Sequence, residues 1–169
     1  RCYISIKGDI KVDKVLGSRS YYSQISDSSV IEKGDEVKFE ANDKNLTYKS
    51  IDQKFRLNKN IKVFRGPEFN CLNKESINKL KNQEFSIGIN NRMAYNLKEK
   101  IEAGVNSIIS SGVIPGTVQL TPSGQIIILH RDCQTTGGYP RILQLAEKSL
   151  NNLAQLRTGD KIKFELVSL

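Results

Sequence analysis

Short stretches of alternating hydrophobic and polar residues, each closed by a turn signal, dominate the chain. The pattern is clear in "CYISI" at 2–6, in "IKVDKV" at 10–15 and in "IKVFRG" at 61–66, where a Gly-Pro pair follows the strand. Alternation with a period of two is typical of strands with one face on a core, and many short strands are typical of an all-β barrel or sandwich. The pattern therefore predicts a mainly β protein.

Two of the predicted strands are near copies of each other. "KGDEVKFEAN" at 33–42 and "TGDKIKFELV" at 158–167 share a Gly-Asp turn, an apolar β-branched residue and then Lys-Phe-Glu. A recurrence over this separation indicates two related sheet units. A turn followed by a strand is a common arrangement, and two unrelated segments that adopt it could have the same sequence pattern. Duplication and independent origin therefore both stay open.

Helical spacing is strongest in "NKESINKLKNQ" at 73–83. Asn73 is a suitable N-cap, with Ser76 as the alternative, because both side chains can accept a hydrogen bond from a free backbone N–H. Ile77 and Leu80 lie on one face of the predicted helix. The segment therefore predicts an amphipathic helix.

Two further segments fit more than one element. "MAYNLKEKI" is amphipathic as a strand or as a helix, and we expect a short helical piece near 95–103. "YPRILQLAEKSLNNLAQL" at 139–156 has the periodicity of one long helix.

A β-hairpin is predicted over 117–129. "TVQL" is followed by the turn residues "TPSG" and by the apolar run "QIIIL". Because this run is uninterrupted, we expect the second strand to be buried on both faces. The hairpin brings His130, Arg131 and Asp132 to a strand end, where polar side chains can project into solvent or a cleft.

The segment "DCQTTGGYPR" at 132–141 concentrates hydrogen-bonding groups around two glycines. Gly137 and Gly138 could let backbone N–H groups approach a ligand or adopt positive φ, and neighbouring threonine hydroxyls add donors. Such a loop suits a carboxylate or a polarised carbonyl. In the alternative interpretation the glycines form a bulge, the threonines satisfy the turn and Asp132 caps it. Both interpretations stay open.

Composition excludes several classes of protein. The net charge is +8, but the lysines are scattered among acidic residues without a basic run, so we expect a solvated basic surface and no nucleic acid partner. The three cysteines are widely spaced, with one histidine in the chain, and indicate neither a disulfide framework nor a zinc site. We expect a cytoplasmic protein without a membrane span. Because the chain begins with Arg1, we expect it to be a piece of a longer protein.

Five segments together resemble a known family. "VLGSRSYY", "NNRMAYNL", "GVIPGTVQLTPSGQIIIL", "DCQTTGGYPRI" and "LAQLRTGDKIKF" closely resemble the biotin-dependent carboxyltransferase family, which includes allophanate hydrolase subunit 2, the C subunit of 5-oxoprolinase and the antagonist of a sporulation kinase inhibitor. The chain departs from the family pattern at Asp9, Ala94 and Cys133, where a glycine, a glycine and a basic residue are usual.

The resemblance implies a mainly β fold, a cyclophilin-like β-barrel with a few short helices. It implies that 1–169 is the C-terminal portion of a carboxyltransferase-type domain, in which 1–65 could form part of a first barrel and 66–169 a second. It also changes the prediction for the long periodic segment to a strand through about Ala146 and a short helix near 148–155.

The resemblance also implies a site for a urea-like or lactam substrate. Proton transfer and charge on oxygen require an acceptor and donors together. Asp132 would accept a substrate proton, and Arg19 and Arg92 would grip a carboxylate, although each arginine could instead form a surface ion pair. The substrate-binding candidates are Gln134, Thr135, Thr136, Gly137 and Tyr139, the last as a packed wall. We expect no metal, a structural role for His130 and no catalytic role for Cys133.

The implied activity is that of one subunit in an ATP-dependent complex that hydrolyses amides or transfers carboxyl groups. The favoured reaction is 5-oxoprolinase, from 5-oxoproline to glutamate, with allophanate or urea metabolism beside it. The chain has no phosphate-binding loop motif and no biotin-attachment signature. We therefore expect ATP or carboxybiotin to be used by the assembled complex, with a companion that resembles allophanate hydrolase subunit 1 or the B subunit of 5-oxoprolinase. The alternative is a non-catalytic antagonist that binds a kinase-inhibitor partner protein.

Overall fold

A computed structural model of the chain describes residues 6–22, 25, 30–41 and 57–167. The chain divides into two compact units, 1–53 and 54–169. Each unit is described separately.

The first unit contains one short antiparallel pair among its described residues, β1 (Asp9–Ile10) and β2 (Phe39–Glu40). The predicted strand over 10–15 is wrong beyond its start, because the ladder ends with one further hydrogen bond from Lys11 N to Lys38 O. The predicted strand over 2–6 lies almost wholly outside the described residues. All described residues of this unit are exposed.

The two Gly-Asp copies share one turn geometry. In the first unit the Asp35 carboxylate accepts a hydrogen bond from Glu32 N at 2.7 Å, and Asp35 N donates to Glu32 O. In the second unit Asp160 makes the same two hydrogen bonds with Arg157, at 2.8 Å to the carboxylate. The glycine before each aspartate has positive φ. The likeness of the copies therefore extends to the conformation of the turn.

The second unit is built from nine strands among its described residues. Their bounds are β3 (Asn60–Arg65), β4 (Phe85–Asn90), β5 (Ala94–Lys100), β6 (Ser111–Gly112), β7 (Thr117–Leu120), β8 (Gln125–Leu129), β9 (Thr136–Gly137), β10 (Arg141–Leu145) and β11 (Lys161–Leu166). The prediction of a mainly β protein is confirmed.

Seven of these strands form a closed barrel in the order β10-β3-β11-β4-β5-β8-β7. The β3–β11 pair is parallel and the other pairs are antiparallel. Closure leaves no free sheet edge in the barrel. The inward residues of the alternating strands form its core, and the largest fully buried side chains of these strands include Phe85, Tyr95, Ile61, Ile87, Leu97, Leu120, Ile126, Ile128 and Ile142.

Two short α-helices accompany the barrel in the part of the second unit that the structure describes. The predicted helix at 73–83 is confirmed as α1 (Lys74–Asn82), and Asn73 is its N-cap, with its side chain accepting a hydrogen bond from Ser76 N at 2.8 Å. The predicted strand through about Ala146 and the short helix after it are confirmed as β10 and α2 (Glu147–Leu153). A 3₁₀ turn covers Phe69–Cys71.

The predicted helical piece near 95–103 is wrong. Residues 94–100 form β5, in which Tyr95 and Leu97 are buried while the residues between them are less so. The amphipathic pattern fits a period of two here because β4 and β8 pair with this segment on either side. Neighbouring strands therefore decide a pattern that is locally ambiguous.

The hairpin prediction is confirmed by β7 and β8, which pair across the turn at Thr121–Gly124. The expectation that β8 is buried on both faces is wrong at two positions on one face, Gln125 and Ile127. Ile126 and Ile128 are fully buried, but Ile127 on the opposite face is only half-buried. The outer face of β8 is therefore partly open to solvent.

Candidate functional site

The segment after β8 begins with a buried histidine. His130 is 3% exposed, and the centroid of its ring lies 5.3 Å from that of Tyr95. Its backbone N–H donates to Met93 O at 2.7 Å, which ties the segment to the turn between β4 and β5. The structure therefore places His130 in the packed interior, as expected for a structural residue.

Arg92 and Asp132 lie together and form a two-pronged ion pair. Arg92 Nη2 donates to Asp132 Oδ1 at 2.9 Å, and Arg92 Nε donates to Asp132 Oδ2. Asp132 N also donates to Arg92 O at 3.0 Å, so the two segments are joined by backbone as well. The side chains are 56% and 44% exposed. The structure thus brings two of the predicted catalytic residues into contact, each as the partner of the other.

Cys133 is half-buried beside this pair. Burial, with a smaller contribution from the Asp132 charge, raises the pKa of the Cys133 thiol. A thiol with a raised pKa stays protonated at neutral pH and is a poor nucleophile. The expectation that Cys133 has no catalytic role stays a prediction.

The two glycines of the loop meet the chain's own atoms. Gly137 belongs to β9, which pairs with β6, and a Cβ at this position would overlap Gln119 Nε2. Gly138 O accepts a hydrogen bond from Ile108 N at 2.8 Å. Neither glycine has positive φ. The structural interpretation therefore explains Gly137, which permits close packing inside the fold, whereas a Cβ at Gly138 would make only an ordinary contact with Ile108 O.

Arg141, the last residue of this loop, is held by Glu68. The guanidinium donates from Nη2 at 2.6 Å and from Nε at 2.9 Å to the two carboxylate oxygens, and Arg141 N donates at 2.9 Å. The side-chain hydrogen bonds lower the pKa of Glu68 below its usual value and raise the pKa of Arg141. The pair fixes the start of β10 to the turn that follows β3.

A depression of about 260 Å³ opens on the outer face of β5, β7 and β8. Its lining contains five side-chain amides, several apolar groups and, among the described residues, no charged side chain. The lining residues are Asn90, Asn91, Asn96, Gln119, Gln134, Ile89, Met93, Ala94, Ile127, Leu129 and Tyr139.

Two of the predicted substrate-binding residues, Gln134 and Tyr139, line this depression. Asp132, Thr135 and Thr136 are exposed but are not part of its lining. The other four amides, at 90, 91, 96 and 119, were not predicted from the sequence. The pair "NN" before Arg92 was a possible signal for the first two, because adjacent amides at a strand end can project into a site.

Arg19 lies in the first unit and forms an exposed ion pair with Asp9 at 3.3 Å. This is the surface ion pair that was the alternative expectation for Arg19. Its predicted membership of a site with Arg92 and Asp132 stays a prediction.

Neither a metal cluster nor a membrane-spanning helix is present in the part of the chain that the structure describes. No group of three His, Cys, Asp or Glu side chains in these ranges could hold a metal ion. Within the same ranges, none of the helices has the length and apolar character needed to span a bilayer.

The fold and the site define a closed β-barrel domain with an amide-lined depression on its outer wall and an arginine–aspartate pair next to it. Comparison with known proteins identifies the family. The sequence model of the carboxyltransferase domain, subdomain A and B, matches residues 1–166, and the chain belongs to this family. The resemblance inferred from the sequence is confirmed.

Two curated relatives are both C subunits of 5-oxoprolinase. The chain is 29% identical over 176 residues to the Escherichia coli protein, a match that covers all of this chain and 57% of that protein. It is 49% identical over 73 residues to the Haemophilus influenzae protein, covering 43% of this chain and 22% of that protein. The chain thus spans a little over half the length of the first relative.

Solved structures support the fold. The urea amidolyase of K. lactis matches with a TM-score of 0.64 at 21% identity, covering 97% of this chain and 12% of that one. The urea carboxylase of Kluyveromyces lactis matches with a TM-score of 0.60 at 21% identity, covering 97% and 17%. At this identity the likeness concerns the fold alone.

Proposed function

We propose that the chain is part of a subunit of an ATP-dependent complex that opens a cyclic amide, with 5-oxoproline converted to glutamate as the favoured reaction. The observation that carries the proposal is the amide-lined depression beside the Arg92–Asp132 pair. The two relatives, both named as C subunits of 5-oxoprolinase, support the choice of substrate. The substrates of allophanate or urea metabolism likewise have an N–H group next to a carbonyl group.

The Arg92–Asp132 pair gives the substrate carboxylate a place to bind. Exposed ion pairs contribute only about 0–1 kcal/mol to stability, so opening this one costs little. A ligand carboxylate could replace Asp132 in the two-pronged contact with Arg92. The released Asp132 carboxylate would then accept a proton from the water that attacks the lactam carbonyl. The protonated Asp132 would pass this proton to the ring nitrogen as the C–N bond breaks.

The depression does not suit ATP. Triphosphates are held by cationic side chains, backbone N–H nests and metal ions, whereas the described lining has no charged residue. We therefore assign ATP to a companion that resembles the B subunit of 5-oxoprolinase or allophanate hydrolase subunit 1. Carboxybiotin would supply a transferable carboxyl group in a urea-metabolising complex, and its ureido ring has an amide edge that suits the same lining.

The first prediction tests the role of the aspartate. The full-length protein is assembled with its companion subunits, and ATP-dependent release of glutamate from 5-oxoproline is measured. Asp132→Asn keeps the size of the side chain and removes its charge, so we expect activity to fall about 10²-fold or more, with the thermal midpoint little changed.

Glu147→Gln is the matched control. Glu147 is also an exposed acidic residue in an ion pair, with a side chain 70% exposed against 44% for Asp132, but its partner is Arg131, the residue next to Asp132, instead of Arg92. We expect this variant to keep normal activity. Unchanged activity in Asp132→Asn, or a loss explained entirely by unfolding, would contradict the catalytic role.

A second candidate function is supported by exposed apolar side chains at the depression. Ile89 and Met93 are 81% and 50% exposed and line one wall. Such groups favour contact with another protein, either a companion subunit or the kinase-inhibitor partner of a non-catalytic antagonist. Glutamate release by the assembled complex separates the two, because an antagonist has no turnover.

A further inference from the structure

Gln119 is a buried polar side chain with one open hydrogen-bonding group. It lies on β7, is 1% exposed and forms part of the lining of the depression. Its Nε2 donates to Tyr139 O at 3.3 Å. Its Oε1 has no hydrogen-bond partner in the part of the chain that the structure describes. Gln119 lines the depression and this acceptor is not used inside the described part of the fold, so it is suited to a ligand.

The orientation of this amide follows from its partner. The Tyr139 carbonyl can only accept a hydrogen bond, so the nitrogen of Gln119 must face it and the oxygen must lie on the other branch of the amide. Gly137 packs against the same nitrogen. A side chain at Gly137 would displace the amide, so the glycine helps to set its position.

Gln144 shows what a purely structural glutamine looks like in this barrel. It lies on β10, and a Cβ at Gly116 would come within 2.7 Å of its Nε2, so it too packs against a glycine. Its Nε2 donates to Pro115 O at 2.9 Å, and its Oε1 accepts from Thr117 Oγ1 at 3.0 Å. Both ends of Gln144 are therefore used inside the fold, whereas only the nitrogen of Gln119 is.

Asn91 provides the complementary donor in the lining. Its Oδ1 accepts hydrogen bonds from Met93 N at 2.8 Å and from Ala94 N at 3.0 Å. These two donors require the oxygen to face the backbone, so the Nδ2 group is left to donate elsewhere. The depression therefore contains an acceptor with a defined orientation on Gln119 and a donor with a defined orientation on Asn91.

We propose that the depression binds the amide edge of a small neutral ring, with Gln119 Oε1 accepting the ring N–H and Asn91 Nδ2 donating to the ring carbonyl. A lactam or a cyclic urea has both groups on one edge of the ring. The absence of charge in the described lining favours a neutral ring, and the volume of about 260 Å³ favours a small one. This inference rests on the proposed function and deepens it, because it names the group of the substrate that is recognised.

The first experiment compares 2-pyrrolidinone, a neutral lactam, with its N-methyl derivative. Each is titrated into the isotope-labelled full-length protein, and backbone amide shifts are followed by NMR. We expect 2-pyrrolidinone to shift signals of residues that line the depression. We expect N-methylation to weaken binding about tenfold or more, because Gln119 loses its donor and the methyl group occupies its place. Equal binding of the two compounds would overturn the proposal.

The second experiment compares Gln119→Met with Gln144→Met. Both changes replace a barrel glutamine by a side chain of similar length without hydrogen-bonding groups. We expect Gln119→Met to reduce the affinity for 2-pyrrolidinone about tenfold, to that of the N-methyl compound, and Gln144→Met to leave it within about twofold. An unchanged affinity in a folded Gln119→Met protein would also overturn the proposal. If that variant does not fold, the comparison of the two ligands still decides.

The two proposals can fail separately. In one case, the protein binds the lactam in a way that depends on the N–H group, but the assembled complex releases no glutamate from 5-oxoproline. This result would reject the proposed reaction and support the binding site. In the opposite case, the complex releases glutamate from 5-oxoproline, but the free subunit binds 2-pyrrolidinone and its N-methyl derivative equally. This result would support the proposed reaction and reject the role of Gln119.

Discussion

At the scale of single residues, position 137 requires a glycine because the Gln119 side chain packs against it. A Cβ there would overlap Gln119 Nε2, whereas a Cβ at Gly138 would lie 3.5 Å from Ile108 O, an ordinary contact. The two adjacent glycines therefore differ in the room that they have, although φ is not positive at either.

We predict that Gly137→Ala lowers the free energy of unfolding by about 1–3 kcal/mol, because the buried Gln119 amide must move and loses its contact with Tyr139 O. Gly138→Ala is the matched control and should change it by less than about 0.5 kcal/mol. Both values come from urea unfolding followed by fluorescence or circular dichroism. Equal effects of the two substitutions would show that the contact with Gln119 is not the cause.

At the scale of elements, the Glu68–Arg141 pair joins the turn after β3 to the first residue of β10. Its side chains are 26% and 21% exposed, so water screens them less than the surface pairs. Glu84 and Lys161 form such a surface pair, with side chains that are 62% and 63% exposed. The comparison of the two pairs isolates the effect of burial.

We predict that Glu68→Gln lowers the free energy of unfolding at pH 7 by about 1–3 kcal/mol, the usual range for a hydrogen bond to a charged group. The pKa of Glu68 is lower in the folded protein than its ordinary value of 4.5. The stabilisation is therefore complete above that value and is lost as the pH falls through the lower folded pKa.

The measurement is urea unfolding of the wild type and the variant between pH 7 and pH 3. The difference between them should shrink as the pH falls below 4.5. Glu84→Gln, the control, should change stability by about 0–1 kcal/mol at pH 7. A difference for Glu68→Gln that does not depend on pH would show that the variant acts through packing instead of charge.

At the scale of the whole molecule, the buried core belongs to the second unit. The core residues run from Ile61 to Phe164, while every described residue of the first unit is exposed. The barrel also includes β3, which pairs with both β10 and β11. The division of the chain into 1–65 and 66–169 stays a prediction, and the position of β3 makes it testable.

We predict that residues 54–169 fold alone, with the circular dichroism of a mainly β protein and one cooperative thermal transition. A fragment of residues 66–169 lacks β3 and should not show this transition. It loses Ile61 and Val63, both fully buried, at about 1.5–3 kcal/mol each, and it leaves two strand edges unpaired. If 66–169 unfolds as cooperatively as 54–169, β3 is not needed for the barrel.

The local features of the fold could be predicted from the sequence. Helix α1 with its Asn73 cap, the hairpin of β7 and β8 and the Gly-Asp turns depend on contacts between residues a few positions apart, so neighbouring letters contain the information. The wrong predictions concern partners that are distant in the chain. β5 is a strand because β4 and β8 pair with it. Ile127 is only half-buried because it lies on the outer face of the barrel.

For the candidate site, the sequence by itself determined a polar loop after a buried strand and the chemical types of Asp132, Arg92, Gln134 and Tyr139. Only the tertiary structure decided that Arg92 and Asp132 pair, that Gly137 packs against Gln119, and that five amides from separate segments line one depression. The physical reason is that these contacts form when the barrel closes. Closure joins positions such as 91, 119 and 134, whose spacing along the chain has no common period.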